Sequence, residues 1–161
     1  MKFNSQNNNN YDHYIECRQA TLSDIESLLS LLHILFDYEE ITFRENKHRK
    51  ALKMILDANQ KCIMVAENHE KIVGMCAAQL FISTVEGGYA AFIEDIIVAP
   101  AYRKKGIAKK LIHRMEQWAK KENVYRLQLL VHKNNTSAKK LYKLLNFSST
   151  PCEFMKKNLV N

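Results

Sequence analysis

Glycine and proline are scarce in this sequence, and long apolar runs are absent. Four Gly and two Pro among 161 residues are too few for a collagen-like, low-complexity or linker-dominated chain. No apolar run approaches the roughly 18 residues that a membrane-spanning helix needs, so we expect a protein without a membrane segment. The length suits one domain, and a hydrophobic content of 47% supplies material for its core.

Cysteine pairs at metal-ligand spacing are also lacking. The four Cys lie far apart, without a Cys-x-x-Cys motif and without a Cys and His pair at ligand spacing. This pattern predicts no metal site and favours a reducing compartment, so we expect a cytoplasmic location. We expect all four thiols to be buried as small apolar side chains: Cys17, Cys62, Cys76 and Cys152.

The N-terminal segment is polar and contains an Asn run at 7–10. It has no apolar stretch of the kind that a signal peptide requires. We therefore expect residues 1–13 to be a disordered tail and residues 14–161 to form a single domain.

Charge is unevenly distributed along the chain. The formal net charge is +7, with −5 over residues 1–102 and +12 over residues 103–161. A basic excess first suggests a partner rich in phosphate, such as nucleic acid. The acidic front half argues against a wrapped duplex, so a nucleic-acid-binding domain is the less favoured alternative.

Apolar periodicity predicts the element order β, α, α, β, β, β, α, β, α, β. A capping-box spacing, Ser23 to Glu26, marks the start of the first helix. A polar turn at 68–71 predicts a hairpin, and a last strand is expected near Phe154. This order predicts an α/β (α+β) fold with a mixed, mostly antiparallel central sheet flanked by helices.

One segment combines a strand, a basic turn with a single glycine and an amphipathic helix. The turn contains Arg103, Lys104, Lys105 and Gly106. The first N–H groups of a helix lack backbone partners and lie at the positive end of its dipole, so they bind anions. Three cations at this end destabilise the helix unless an anion is bound. The segment predicts an anion site, and a solvated basic turn is the alternative reading.

Two motifs identify a family resemblance. Arg103-Lys-Lys-Gly106-Ile-Ala108 follows a strand directly, and Asn135-Thr-Ser-Ala138 is followed by Tyr142 four residues after the Ala. The pair resembles the signatures of the GNAT N-acetyltransferase superfamily, which transfers acetyl from acetyl-CoA to an amine. Two departures are Ala108, where Gly is commoner, and Asn146, where Gly before Phe is usual.

The resemblance implies a GNAT-like acyl-CoA acyltransferase fold and acetyl-CoA as the acetyl donor. Backbone groups of residues 96–98 are implied to pair with the pantetheine amides, and the turn 103–108 to cradle the pyrophosphate. The implied cofactor-binding residues are Ile96, Ile97, Val98, Arg103, Lys104, Lys105, Gly106, Ile107, Ala108, Asn135 and Tyr142.

Amine acetylation needs a base, because a primary amine has a pKa near 10 and arrives protonated at neutral pH. Glu94 is the first candidate, since strand alternation places it on one face with Phe92 and Ile96, and the resemblance implies a base carboxylate here. Asp95 is the second candidate. Tyr142 stands where the family carries the acid that protonates the leaving thiolate.

The sequence does not specify the acceptor amine. Acidic residues in loops that, by resemblance, border the acceptor cleft favour a small cationic amine: Asp37, Glu39, Glu40 and Glu86. Many relatives pair, so a homodimer is one assembly that the resemblance allows. The main alternative function is a non-catalytic acetyl-CoA-binding module that regulates a partner, and retention of Glu94 and Tyr142 favours catalysis.

Overall fold

The structure is a computed structural model that describes residues 14–159. The predicted tail at residues 1–13 lies outside this range. The chain divides into a larger unit that ends at Leu130 and a smaller unit that begins at Val131, and the single-domain prediction stays a prediction. The larger unit contains β1 Glu16–Gln19, α1 Ile25–Tyr38, α2 Glu45–Leu56, β2 Lys61–Asn68, β3 Lys71–Ser83, β4 Gly88–Val98, α3 Ile107–Lys121 and β5 Val124–Leu129, and the smaller unit contains α4 Thr136–Leu144.

The strands described by the structure form one sheet in the order β1-β2-β3-β4-β5. The first three pairings are antiparallel, and β4 pairs with β5 in parallel. A parallel pair needs a crossover connection, which α3 provides. The predicted mixed, mostly antiparallel sheet with flanking helices is therefore confirmed.

The predicted last strand near Phe154 is wrong. Residues 147–159 form neither helix nor strand, and the Phe154 side chain is 66% exposed. Apolar side chains in this segment therefore lack the buried face that holds a strand in a sheet.

The two faces of the sheet carry separate apolar layers. On one face, α1 buries a stripe of Ile25, Leu28, Leu29, Leu32 and Leu35 against β2 and β3, and Phe36 packs there partly buried. On the other face, α3 buries Ile107, Leu111, Met115 and Trp118. The face of α2 is buried less completely, because Leu52 is buried whereas Ala51 is exposed.

The thiols are buried at three of the four positions. Cys17, Cys62 and Cys76 lie inside the sheet layers, and burial raises the pKa of the Cys62 thiol to about 12. The prediction for Cys152 is wrong: this residue is exposed in the irregular C-terminal segment. No helix between residues 14 and 159 combines the length and apolar character of a membrane span.

The start of α1 is capped two residues earlier than the sequence spacing predicted. A single 3-10 turn, Leu22–Asp24, precedes the helix. The Asp24 carboxylate accepts a hydrogen bond from the Thr21 backbone N–H at 2.7 Å. It also accepts hydrogen bonds from both terminal nitrogens of Arg18, at 2.8 and 3.0 Å. The predicted box at Ser23 and Glu26 is therefore wrong.

We predict that Asp24→Asn lowers the free energy of unfolding by about 1–3 kcal/mol at pH 7, because it removes a charged partner that is 7% exposed. Arg18 holds the pKa of the Asp24 carboxyl below its usual range. The stabilisation is therefore complete above the ordinary carboxyl pKa of about 4 and is lost as the pH falls through the lower folded value. Urea unfolding of both proteins at several pH values measures this.

A matched control is Glu26→Gln, which removes the exposed carboxylate that pairs with Arg49. Exposed pairs contribute little, so this variant should unfold like the parent protein. An Asp24→Asn difference that stayed constant down to pH 2 would contradict the proposed ion-pair contribution.

Candidate cofactor and active site

Strand β4 contains a β-bulge at the predicted catalytic carboxylates. Cys76 lies opposite Ile96, whereas Ala78 lies opposite Ile93. Two residues along β3 therefore span three along β4, which places one extra residue around positions 94–95. A bulge of this kind redirects side chains and interrupts the ladder.

The bulge changes which side chains share a face. Ile96 and Ile93 lie on one face, because their partners on β3 are two residues apart. Glu94 instead accepts a hydrogen bond from Gln79 Nε2 at 3.0 Å, and Gln79 lies opposite Phe92. The prediction that Glu94 shares a face with Phe92 is confirmed, and the prediction that Ile96 shares it is wrong, because simple alternation does not survive the extra residue.

The C-terminal half of β4 has an open backbone edge. Parallel pairing with β5 runs from Tyr89 only to Ile93, whereas pairing with β3 continues to Val98. Within residues 14–159, no strand pairs with the β5 side of β4 beyond Ile93. Ile97 and Val98 have buried side chains and Ile96 is half-buried. The backbone of residues 96–98 is thus the part suited to pair with an amide-bearing ligand.

Two neighbouring carboxylates act on the Asp95 carboxyl near the bulge. Asp95 is half-buried, and burial raises the pKa of its carboxyl to about 7, with smaller contributions from the negative charges of Glu94 and Glu39. Glu94 is exposed, and Glu39 is the C-cap residue of α1. A carboxyl that titrates near neutral pH is matched to proton transfer at that pH.

The basic turn is held against the end of β4. Arg103 Nε–H donates to the Val98 carbonyl oxygen at 3.0 Å, so this side chain has a structural role in addition to its charge. Lys104 and Gly106 both have left-handed backbone angles, with φ of 63° and 77°. These two residues turn the chain sharply into α3.

The N-terminus of α3 has the features of a phosphate site. The first helical hydrogen bond runs from the Lys110 N–H to the Gly106 carbonyl oxygen at 3.1 Å, so the N–H groups of residues 107–109 have no helical acceptor. A β-carbon at Gly106 would meet no protein atom within 4 Å, which shows open space at the residue that directly precedes these donors. Ile107 offers only its backbone because its side chain is buried, and Ala108 is half-buried. The residues present therefore fit a pyrophosphate.

Sequence reasoning missed Lys71 and Tyr102, which lie beside Lys105 of this turn. The Lys71 ammonium lies 6.0 Å and the Lys105 ammonium 5.7 Å from the centroid of the Tyr102 ring. Lys71 belongs to the hairpin between β2 and β3, about 30 residues away in sequence. No local motif marks it, because only the sheet register brings it to the turn.

The smaller unit holds Tyr142 in a defined helix end. Asn135 caps α4, and its Oδ1 accepts the Ala138 N–H at 3.0 Å. At the other end, Asn146 is left-handed with φ 64°, and the Phe147 N–H donates to the Tyr142 carbonyl oxygen at 2.9 Å. This is a Schellman motif, and the rings of Tyr142 and Phe147 meet edge to face at 5.8 Å. Asn146 thus forms the left-handed helix end at the position where Gly before Phe is usual in the family.

One cavity has none of the predicted site residues in its lining. It has a volume of about 490 Å³ and is lined by residues of β1, β2, the C-terminal end of α2 and the second half of α3, among them Arg18, Lys61, Arg114 and Trp118. Among residues 14–159, no three His, Cys, Asp or Glu side chains form a group that could hold a metal ion.

A comparison with known protein families shows to which family the chain belongs. The model of the acetyltransferase (GNAT) family matches residues 28–147. The chain belongs to the GNAT family. This membership supports the predicted acyltransferase class, and the mostly antiparallel sheet with flanking helices matches the fold of GNAT acetyltransferase structures.

Relatives of this GNAT chain carry N-acetyltransferase names. An uncharacterised N-acetyltransferase of Methanocaldococcus jannaschii is 29% identical over 133 residues, which cover 81% of this chain and 59% of the relative. The chain thus spans about three fifths of that relative's length. A thialysine N-epsilon-acetyltransferase of Caenorhabditis elegans is 27% identical over 130 residues, which cover 80% of this chain and 79% of the relative.

The fold of this GNAT chain matches solved structures closely. An aminoglycoside N-acetyltransferase crystallised in complex with CoA superposes with a TM-score of 0.80 at 21% identity. The match covers 91% of this chain and 96% of that one. At this identity the likeness establishes the fold.

Proposed function

We propose that the protein transfers the acetyl group of acetyl-CoA to a primary amine by direct attack of the amine on the thioester. The observation that carries this proposal is the open backbone edge of β4 over residues 94–98, which leads into the left-handed turn before α3. An amide-rich chain with a pyrophosphate at one end matches both parts of this surface.

The residues that would hold acetyl-CoA act mainly through their backbone. Ile96, Ile97 and Val98 offer N–H and C=O groups to the pantetheine amides, and residues 103–108 offer N–H groups and positive charge to the pyrophosphate. We propose Asn135 as a further contact. When bound, acetyl-CoA supplies an activated acyl thioester and a thiolate leaving group.

Two carboxylates are candidates for the base that removes a proton from the incoming ammonium. Glu94, the first choice from the sequence, is exposed and accepts a hydrogen bond from the side-chain amide of Gln79. Asp95 is half-buried and titrates near pH 7. The raised pKa now favours Asp95 as the base, with Glu94 adding the negative charge that helps to raise it. Tyr142 is proposed to protonate the leaving thiolate.

A cationic amine is the proposed acceptor class. The negative charge of Glu39 contributes to the raised pKa of the Asp95 carboxyl, and this negative region would attract an ammonium group. Glu86 adds less negative charge to the acceptor region than the sequence suggested, because it forms an ion pair with Arg126 at 2.8 Å. Aminoglycosides and thialysine, named for relatives, are both cationic amines.

The test has two stages. First, acetyl-CoA should raise the melting temperature of the protein, because a ligand that binds only the folded state stabilises it. Second, thiol release should be followed over a panel of aminoglycosides, diamines, amino acids and peptide N-termini, with neutral aromatic amines as controls. Release with cationic members supports the proposal. Tight acetyl-CoA binding without thiol release from any member would instead support the non-catalytic module.

We predict that Tyr142→Phe lowers kcat by about tenfold or more, the lower end of general-acid effects. The ring contact with Phe147 and the helix end remain, so acetyl-CoA affinity should be almost unchanged. Steady-state kinetics at saturating substrates and calorimetric binding of CoA separate the two quantities. An unchanged kcat would remove Tyr142 from the mechanism.

A further inference from the structure

A lysine outside the GNAT signature, Lys71, lies beside the basic turn that precedes α3. Lys71 begins β3, directly after a hairpin turn in which His69 and Glu70 have left-handed backbone angles, with φ of 46° and 63°. Its ammonium is 6.0 Å from the centroid of Tyr102, the last residue of the 3-10 turn before Arg103.

The sheet fixes this arrangement. Gly74 lies opposite Val98, and the Ala99 N–H donates to the Val73 carbonyl oxygen at 2.8 Å. The first residues of β3 therefore run beside the end of β4 and the turn that follows it. Lys71 is placed by backbone pairing, so its position does not depend on a flexible loop.

Ammonium groups from strand β3 and from the basic turn both lie near the Tyr102 ring. Lys105 lies 5.7 Å from the same centroid, so Lys71 and Lys105 are both within cation–π range of one aromatic side chain. We call Lys71, Tyr102 and Lys105 the tyrosine-lysine cluster. A dianion bound beside this ring would be attracted by both ammonium groups. The neighbouring Glu70 is exposed and largely screened by water.

The charges of CoA exceed what the turn alone can neutralise. The N–H groups at the start of α3, with Lys104 and the held Arg103, suit the pyrophosphate. CoA also carries a 3′-phosphate on its ribose, a monoester with a charge of about −1.5 to −2 at pH 7. The tyrosine-lysine cluster is the adjoining set of cations.

We propose that the tyrosine-lysine cluster binds the 3′-phosphate of CoA and so makes this protein discriminate CoA from 3′-dephospho-CoA. The proposal rests on the proposed use of acetyl-CoA. Lys71 donates to the phosphate from the hairpin side, Lys105 donates from the turn, and the Tyr102 ring keeps both ammonium groups in place.

The test is calorimetric binding of CoA and of 3′-dephospho-CoA, without acceptor, to the parent protein and to Lys71→Met. Methionine keeps the length of the side chain and its contact with the ring but removes the charge. We expect CoA to bind about five- to tenfold more weakly to the variant, and 3′-dephospho-CoA to bind both proteins within about twofold. The matched control is Lys50→Met, an exposed lysine of α2, which should change neither affinity.

The outcomes separate this proposal from the proposed function. If Lys71→Met binds CoA as tightly as the parent, or if it loses the same factor with both ligands, the cluster does not bind the 3′-phosphate, and the acetyltransferase proposal stands. If the parent protein binds neither ligand, both proposals fall. Because Lys71 is exposed, its replacement leaves the core intact.

Discussion

Replacement of Gly106 by alanine should weaken acetyl-CoA binding by about tenfold to a hundredfold. Gly106 has φ of 77° and forms the N-cap of α3. A residue with a β-carbon pays about 1–2 kcal/mol for this left-handed angle, and the strain is relieved by shifting the N–H groups that would bind the pyrophosphate. The added β-carbon would also occupy the open space at Gly106, the residue directly before these donors. Calorimetric binding of CoA measures the loss.

Gly87→Ala provides the control for that variant. Gly87 is also left-handed, with φ of 64°, and a β-carbon there would also meet no protein atom within 4 Å. It lies in the turn between β3 and β4 rather than beside α3. Both variants should lose similar stability in urea, but only Gly106→Ala should lose CoA affinity. Equal affinities for the two variants would contradict the placement of the phosphate site.

Replacement of Asp95 by asparagine should lower kcat by about a hundredfold or more, the effect of removing a general base. The structural reason is its half-buried position at the bulge, where burial first and neighbouring negative charge second raise the pKa of its carboxyl to about 7. The base must be deprotonated to act. Activity of the parent protein should therefore fall as the pH drops through about 7, which a pH profile of kcat measures.

Glu94→Gln discriminates between the two carboxylates. If Asp95 is the base, this variant should keep most of its activity at pH 8, and its acid limb should move to lower pH, because a negative neighbour that raises the pKa of Asp95 is gone. Asp57→Asn, at the exposed C-cap of α2, is the control. A hundredfold loss in Glu94→Gln with an active Asp95→Asn would return the role to Glu94.

Local patterns in the sequence were sufficient to predict the helices and the basic turn before α3. The stripes of α1 and α3 follow from helical periodicity, and the turn before α3 combines a glycine with consecutive cations, a combination that depends on neighbours in the chain. Asn146 was also predictable, because asparagine tolerates the left-handed angle that it adopts, with φ of 64°.

Features that depend on pairing between distant segments were not predictable. The bulge at 94–95 arises because β3 and β4 differ by one residue between fixed pairs, and nothing in the strand sequence reveals that difference. Asp95 therefore looked like a residue of the opposite, less favoured face. Lys71 was missed for the same reason, since its neighbour Tyr102 is brought to it by sheet register. Cys152 was misjudged because burial was inferred from residue type alone.

The open edge of β4 has a consequence for handling the protein. Unpaired strand edges recruit other extended chains and promote aggregation, and here such an edge is the β5 side of β4 beyond Ile93. A pantetheine chain that occupies this edge would cap it as another strand would. Preparations kept in CoA should therefore resist precipitation during storage and concentration better than preparations stripped of it.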